Sequence, residues 1–113
     1  MEFRGIVSDA FSASHVVKGH PTCGRLHGHR WRVSVEITTG QDPETGELVG
    51  LPELAAAVRQ FCSELDREHV NDMLPASPAT AAGINLALRE RLALNWRMTR
   101  IEVWADEVGV LTA

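Results

Sequence analysis

The clearest periodic pattern in the chain lies in residues 28–39, where apolar and polar side chains alternate without interruption. A period of two is typical of a β-strand that buries one face, because successive side chains of a strand point to opposite faces. Residues 2–14 also have an extended character, and residues 101–105 alternate again, with residues 108–111 as a short partner. The pattern therefore predicts an antiparallel sheet of three or four strands. The buried positions of its central strand would be Trp31, Val33, Val35 and Ile37.

Between these strands, two segments carry apolar residues at helical spacing. Residues 52–65 form the first, and Pro52 suits the first turn of a helix. A second helix is predicted over residues 78–92, with Ser77 as the N-cap and Pro78 at the first helical position. The apolar stripes are Leu54, Val58, Phe61 and Leu65 in the first helix and Ile84, Leu88 and Leu92 in the second.

The order of these elements indicates the fold class. Strands and helices that are segregated along the chain predict an α+β fold, with the helices on one face of an antiparallel sheet. The length of 113 residues suits one domain over residues 1–113. A sheet this small has open edges that a lone monomer would have to protect, so we expect the chain to form a homo-oligomer.

Composition and charge narrow the classes of function. The chain is 44% hydrophobic and 23% charged, with a formal net charge of −4. Its eleven lysines and arginines are scattered, whereas nucleic-acid binding needs clustered positive charge, so no nucleic-acid partner is expected. No apolar run approaches the roughly 18 residues that span a bilayer, and the N-terminus does not resemble a secretory signal. We therefore expect a cytoplasmic protein without a membrane partner.

Three histidines form the strongest candidate site. His27 and His29 are two residues apart at the start of the alternating strand, so their side chains share one face. If the preceding extended segment pairs with this strand as a hairpin, His15 completes a cup of three imidazoles. Three such ligands suit Zn²⁺ and leave the fourth tetrahedral position open for catalysis. Cys23 as a fourth ligand would instead close the site, and the spacing allows both arrangements.

A pair of surface histidines near a turn is the competing interpretation of His27 and His29. Two features favour a metal site over that interpretation. Gly24 and Gly28 allow the backbone to approach closely, and four candidate ligands fall within fifteen residues.

The segments "FSASH" and "CGRLHGHRWRV" resemble the signature of the 6-pyruvoyltetrahydropterin and 6-carboxytetrahydropterin synthase family. The resemblance implies a tunnelling fold: a four-stranded antiparallel sheet with two helices on one face, joined into an oligomeric barrel as a trimer or hexamer with intersubunit active sites. It also implies that His15, His27 and His29 bind zinc and that Cys23 is catalytic. The implied substrate is 7,8-dihydroneopterin triphosphate.

The chain departs from the family pattern at several functional positions. Asp66 matches the aspartate of the family's proton relay, but Arg67 replaces the relay histidine, and an arginine stays protonated. His69 is the candidate replacement, although a residue with no part in the relay is the stronger interpretation of it. The glutamate that binds the pterin edge in relatives is replaced by Ala105.

Two further residues are candidates for substrate binding. Glu107 keeps the strand parity of position 105, although it would need a displacement of two residues to reach the same place. Arg25 offers positive charge for a triphosphate group, and a solvated loop residue is an equally good interpretation of it.

Three hypotheses follow from the retained cup and the altered positions. The first is a zinc-dependent lyase that makes 6-carboxytetrahydropterin for 7-deazaguanine biosynthesis. The second is a diverged member that uses the zinc cup and Cys23 on a non-pterin small molecule in a specialised biosynthetic pathway. The third is a non-catalytic zinc-binding oligomer.

Overall fold

A computed structural model of the chain describes residues 1–19 and 24–113. The four strands are β1 (Phe3–His15), β2 (His27–Thr39), β3 (Met98–Ala105) and β4 (Val108–Thr112). The helices are α1 (Leu51–Leu65), α2 (Val70–Met73) and α3 (Ala81–Leu92). The strands form one antiparallel sheet in the order β1-β2-β3-β4, which confirms the predicted α+β class.

Strands β1 and β2 form a long hairpin whose register fixes the candidate site. Pairing runs from Phe3 opposite Thr39 to His15 opposite His27 without a shift. The predicted hairpin is therefore present, and it places the end of β1 directly beside the start of β2.

The alternation of β2 is what builds the core. Its four predicted inward residues are buried, and Trp31 stacks on Phe11 with ring centroids 6.2 Å apart. The indole N–H of Trp31 donates to the carbonyl oxygen of Ala13 at 3.1 Å, so the buried ring leaves no polar atom unpaired. Helix α1 packs mainly against β1, and α3 packs against β3 and β4. The two long helices therefore cover the apolar face of the sheet.

Both long helices end at the predicted residues, but they begin at different ones. Helix α1 begins at Leu51 with Pro52 in its first turn, one residue from the predicted start. Helix α3 begins at Ala81 rather than at position 78, so the prediction of Ser77 as its N-cap was wrong. Thr80 is the N-cap, because its side chain accepts a hydrogen bond from the backbone N–H of Gly83 at 3.1 Å.

The short helix α2 was not predicted, because four residues are too few to show a helical period. None of the helices in the described ranges is long and apolar enough to cross a membrane.

The segment that follows α1 runs along the free edge of β1. The N–H of Arg67 donates to the carbonyl oxygen of Ser12 at 2.6 Å, and the N–H of Ser14 donates to that of Glu68 at 3.1 Å. Arg67 has a φ of 62°, in the left-handed region. These bonds place Asp66 and His69 beside the end of β1 that carries His15.

Candidate metal centre

The three histidines meet at the end of the β1-β2 hairpin. His15 lies opposite His27 in the register, and His29 is two residues further along β2 on the same face. The ring centroid of His15 is 4.4 Å from that of His27 and 5.0 Å from that of His29. One nitrogen of each ring lies within 4.8 Å of the others, so one ion can contact all three.

Each histidine is fixed by a hydrogen bond through the same ring nitrogen. Nδ1 of His15 donates to the carbonyl oxygen of Ala79, and Nδ1 of His27 donates to that of Arg25, both at 2.6 Å. Nδ1 of His29 donates to Oδ2 of Asp106, also at 2.6 Å. Because these oxygens can only accept, every Nδ1 must carry the proton. In a neutral imidazole with its proton on Nδ1, Nε2 presents a lone pair, which is the arrangement seen when histidines bind a metal.

Burial supports the same assignment for His15. Its side chain is 5% exposed, and its Nε2 has no hydrogen-bond partner in residues 1–19 and 24–113. A buried polar atom without a partner is costly, and a metal bond would remove that cost. The donor set of three imidazoles fits zinc, whose catalytic sites commonly use three protein ligands.

The electrostatic environment keeps His15 in the neutral form that ligates metals. Burial lowers the pKa of His15, and the neighbouring His27, His29 and His69 lower it further, while the hydrogen bond to Ala79 acts in the opposite direction. The hydrogen bond from His29 lowers the pKa of Asp106, so that carboxylate is ionised at neutral pH.

The predicted relay residues lie next to the histidines on the edge of β1. Oδ1 of Asp66 accepts a hydrogen bond from the N–H of Ser12 at 2.9 Å. Nδ1 of His69 and the hydroxyl of Ser14 are 2.9 Å apart, with the donor set by the tautomer. Asp66 and His69 therefore both have fixed positions. The predicted catalytic Cys23 lies outside the described residues.

The predicted substrate-binding residues are exposed. Arg25 contacts His27 through its backbone carbonyl oxygen rather than through its side chain. Strand β3 ends at Ala105, and Glu107 lies in the turn to β4. The prediction that Glu107 points to the same face as residue 105 therefore does not apply, because the alternation of faces stops where the strand ends.

Sequence reasoning missed two residues that hold the histidines, Asp106 and Ala79. Ala79 acts through its backbone, so its residue type gives no signal. Asp106 follows an alternating strand and precedes a short partner strand, which is the sequence signature of a tight turn. That signal indicates a turn but not the histidine that the turn would reach.

An open cleft of about 450 Å³ borders the site on the side of His29. Its polar lining includes Ser12, Ser14, Arg30, Arg67 and Asp106. Arg30 donates to the hydroxyl of Ser12 at 3.2 Å, which holds the guanidinium across the strand pair. The histidines are therefore reachable from solvent beside charged side chains of both signs.

Comparison with known proteins agrees with this geometry. Residues 6–112 match the sequence model of the family described as "6-pyruvoyl tetrahydropterin synthase". A relative from Archaeoglobus fulgidus, described as "Putative 6-carboxy-5,6,7,8-tetrahydropterin synthase", is 32% identical over 106 residues, which cover 88% of this chain and 90% of the relative.

Solved structures share the fold at low sequence identity. The 6-pyruvoyl tetrahydropterin synthase of Caenorhabditis elegans superposes with a TM-score of 0.83 at 14% identity, covering 99% of this chain and 95% of the other. A catalytic-residue mutant of the Plasmodium vivax enzyme gives a TM-score of 0.74 at 15% identity, covering 99% and 97%. The chain therefore has the tunnelling fold and belongs to the 6-pyruvoyl tetrahydropterin synthase family of pterin synthases.

Proposed function

We propose that the protein is a zinc-dependent lyase similar to 6-carboxytetrahydropterin synthase, which acts on dihydroneopterin triphosphate or a related pterin. The observation that carries the proposal is the convergence of three Nε2 lone pairs, one of them buried without a partner. His15, His27 and His29 would hold the metal. Bound zinc would supply a Lewis acid that lowers the pKa of a substrate hydroxyl group.

The proton transfers are assigned to residues of the chain itself. Cys23 as a thiolate would remove a carbon-bound proton, and loss of the triphosphate would follow by elimination. A retro-aldol-like step would then break a carbon–carbon bond of the side chain and release acetaldehyde. His69 is held through Nδ1 by Ser14, and its Nε2 would accept or deliver the proton. Asp66 is the accompanying carboxylate. Arg67 stays protonated, so its role is limited to charge.

We also propose that the working form is a homo-oligomer, a trimer or hexamer with intersubunit active sites. The cleft beside His29 is open in the single chain, whereas an enzyme pocket normally encloses most of a small substrate. A second subunit would supply the missing walls. Arg25 and Glu107 are exposed, which leaves them available to a substrate held between subunits.

One observation favours a second candidate, a diverged member that acts on a non-pterin small molecule. At the end of β3, Ala105 has no polar side-chain atom, and the carboxylate of Asp106 is bound to His29. The two hydrogen-bond donors of a pterin edge would find no acceptor there, and each unpaired donor would cost about 1–3 kcal/mol. Glu107, or a carboxylate of another subunit, would have to replace the anchor.

The test is turnover by the zinc-loaded protein. Zinc content would be measured by mass spectrometry, and dihydroneopterin triphosphate would be added while released triphosphate and acetaldehyde are followed. Release of both triphosphate and acetaldehyde supports the pterin lyase. Stoichiometric zinc without either product rejects that substrate and leaves the diverged enzyme or a non-catalytic zinc protein.

Two histidine variants separate binding of the metal from movement of the proton. His15→Gln should lose zinc, because it removes one of the three ligands. His69→Gln should keep zinc and lose most turnover, about 100-fold or more for a lost general base. Loss of zinc in His69→Gln would place that residue among the ligands, and full activity would remove it from the relay.

A further inference from the structure

We infer that Asp106 is a positioning residue of the metal centre, which fixes the tautomer and orientation of His29 and strengthens metal binding. The inference rests on the proposed metal site. Oδ2 of Asp106 lies 2.6 Å from Nδ1 of His29, and the carboxylate acceptor makes this a charge-assisted hydrogen bond. Sequence reasoning did not assign Asp106 any role.

The backbone aims this carboxylate at the ring. Ala105 pairs with Val108, so Asp106 and Glu107 form a two-residue turn between β3 and β4. The N–H of Asp106 donates to the carbonyl oxygen of Arg30 at 3.1 Å, which anchors the turn on β2 one residue from His29. This anchor brings the two side chains together although 77 positions separate them.

The conformation of Asp106 is an unfavourable one that its side chain tolerates. Its φ is 53°, in the left-handed region where glycine is the usual residue and aspartate and asparagine are the common exceptions. Glycine would fit the turn better, but it would leave Nδ1 of His29 without this acceptor. A carboxylate at this position is therefore explained by its contact with His29.

The contact differs in kind from those that hold the other two histidines. His15 and His27 donate to neutral backbone carbonyl oxygens, whereas His29 donates to an ionised carboxylate. A carboxylate partner raises the basicity of an imidazole and so strengthens its bond to a metal. The side chain of Asp106 is 56% exposed and that of His29 is 24% exposed, so a side-chain substitution at position 106 disturbs no buried packing.

Two variants at position 106 keep the left-handed conformation while changing the contact. Asp106→Gly removes the acceptor, and Asp106→Asn keeps an oxygen but removes the charge. Glu107→Gln is the matched control, since it neutralises the adjacent exposed carboxylate in the same turn. Zinc affinity would be measured at one pH by competition with a chromophoric chelator, and thermal unfolding of the metal-free proteins would be compared.

We expect Asp106→Gly to weaken zinc binding about 10- to 100-fold, the usual effect of losing a hydrogen-bond partner of a metal-bound histidine, and Asp106→Asn to weaken it less. Glu107→Gln should bind zinc with the affinity of the wild type, because its carboxylate contacts none of the three histidines among the described residues. Equal affinity in all four proteins would overturn the inference. Should the glycine variant unfold, the comparison of Asp106→Asn with Glu107→Gln decides the question.

A second readout needs no metal. Nitrogen-15 NMR of the metal-free protein distinguishes the two tautomers of His29. The wild type should show the proton on Nδ1, and Asp106→Gly should show a mixture or the proton on Nε2. An unchanged tautomer would contradict the positioning role. If the wild type binds no zinc, the proposed function fails, and this measurement still decides the role of Asp106.

Discussion

Gly83 has no room for a side chain at the start of α3. A Cβ atom built there would overlap the carbonyl oxygen of Pro78, and backbone cannot rotate away as a side chain can. We therefore expect Gly83→Ala to lower the free energy of unfolding by about 3 kcal/mol, the upper range for overpacking. Urea denaturation followed by circular dichroism measures the change.

Gly40 provides the control for that substitution. A Cβ atom built at Gly40 meets nothing within 4 Å, and its φ is not in the left-handed region. Gly40→Ala should change the free energy of unfolding by less than about 1 kcal/mol. Similar losses in both variants would show that crowding by Pro78 is not the cause.

Cys62 lies in the core, where burial makes its thiol unreactive. Desolvation raises the pKa of Cys62 to about 12, with smaller contributions from the charges of Asp9 and Asp66. At pH 8 only about one thiol in ten thousand would then be the reactive thiolate. In a Cys23→Ala background, we expect no labelling by a disulfide reagent until denaturant is added. Rapid labelling of the folded protein would mean that α1 opens readily.

At the scale of elements, the long periodic segments were predictable and the ends and contacts were not. The alternation through Val33 and Val35 predicted β2, and it also predicted that His27 and His29 share a face. The start of α3 was misplaced because Ser77 and Thr80 are both good caps, and only the tertiary structure selects Thr80. Asp106 was missed because its partner lies on a distant strand. The triad was predictable because it needed only alternation and one hairpin.

A buried polar contact attaches α3 to the sheet. The side-chain amide of Asn85, which is fully buried, donates to the carbonyl oxygen of Ile101 at 3.1 Å. Its Oδ1 accepts from the hydroxyl of Thr112 at 2.9 Å. We expect Asn85→Ala to cost about 2 kcal/mol, because it removes two buried hydrogen bonds that contribute about 1 kcal/mol each.

The exposed Asn95 is the control, and Asn95→Ala should cost less than about 0.5 kcal/mol. A double-mutant cycle of Asn85→Ala with Thr112→Val would isolate the contact to β4. We expect a coupling energy of about 1 kcal/mol. Strict additivity would show that the bond to Thr112 contributes nothing to stability.

The single chain is more extended than a compact protein of its size. Its radius of gyration is 15.1 Å, against about 13 Å expected for 113 residues. Its accessible surface is 7031 Å², against about 6,100 Å² expected for 12.4 kDa. Exposed apolar side chains lie on both outer strands, including Ile6 on β1 and Leu111 on β4. These features together favour assembly with further subunits.

The edge of β4 offers a direct test of that assembly. Because Ala105 pairs with Val108 across a two-residue turn, the antiparallel ladder directs the N–H of Val110 toward β3 and that of Leu111 toward the outer edge. Leu111→Pro removes only the outward donor, so the hairpin should persist while pairing with another subunit is lost. Leu111→Thr changes the side chain but keeps the N–H.

Sedimentation velocity at micromolar concentration should show the wild type and Leu111→Thr as a trimer or hexamer and Leu111→Pro as a smaller species. A wild type that sediments at 12.4 kDa would contradict assembly itself. An oligomer that survives Leu111→Pro would contradict pairing at this edge. Circular dichroism of the proline variant must show native strand content, because only a folded monomer separates loss of pairing from loss of fold. Zinc content measured on the same fractions would then show whether the three histidines, which all belong to one hairpin, keep their metal without a neighbouring subunit.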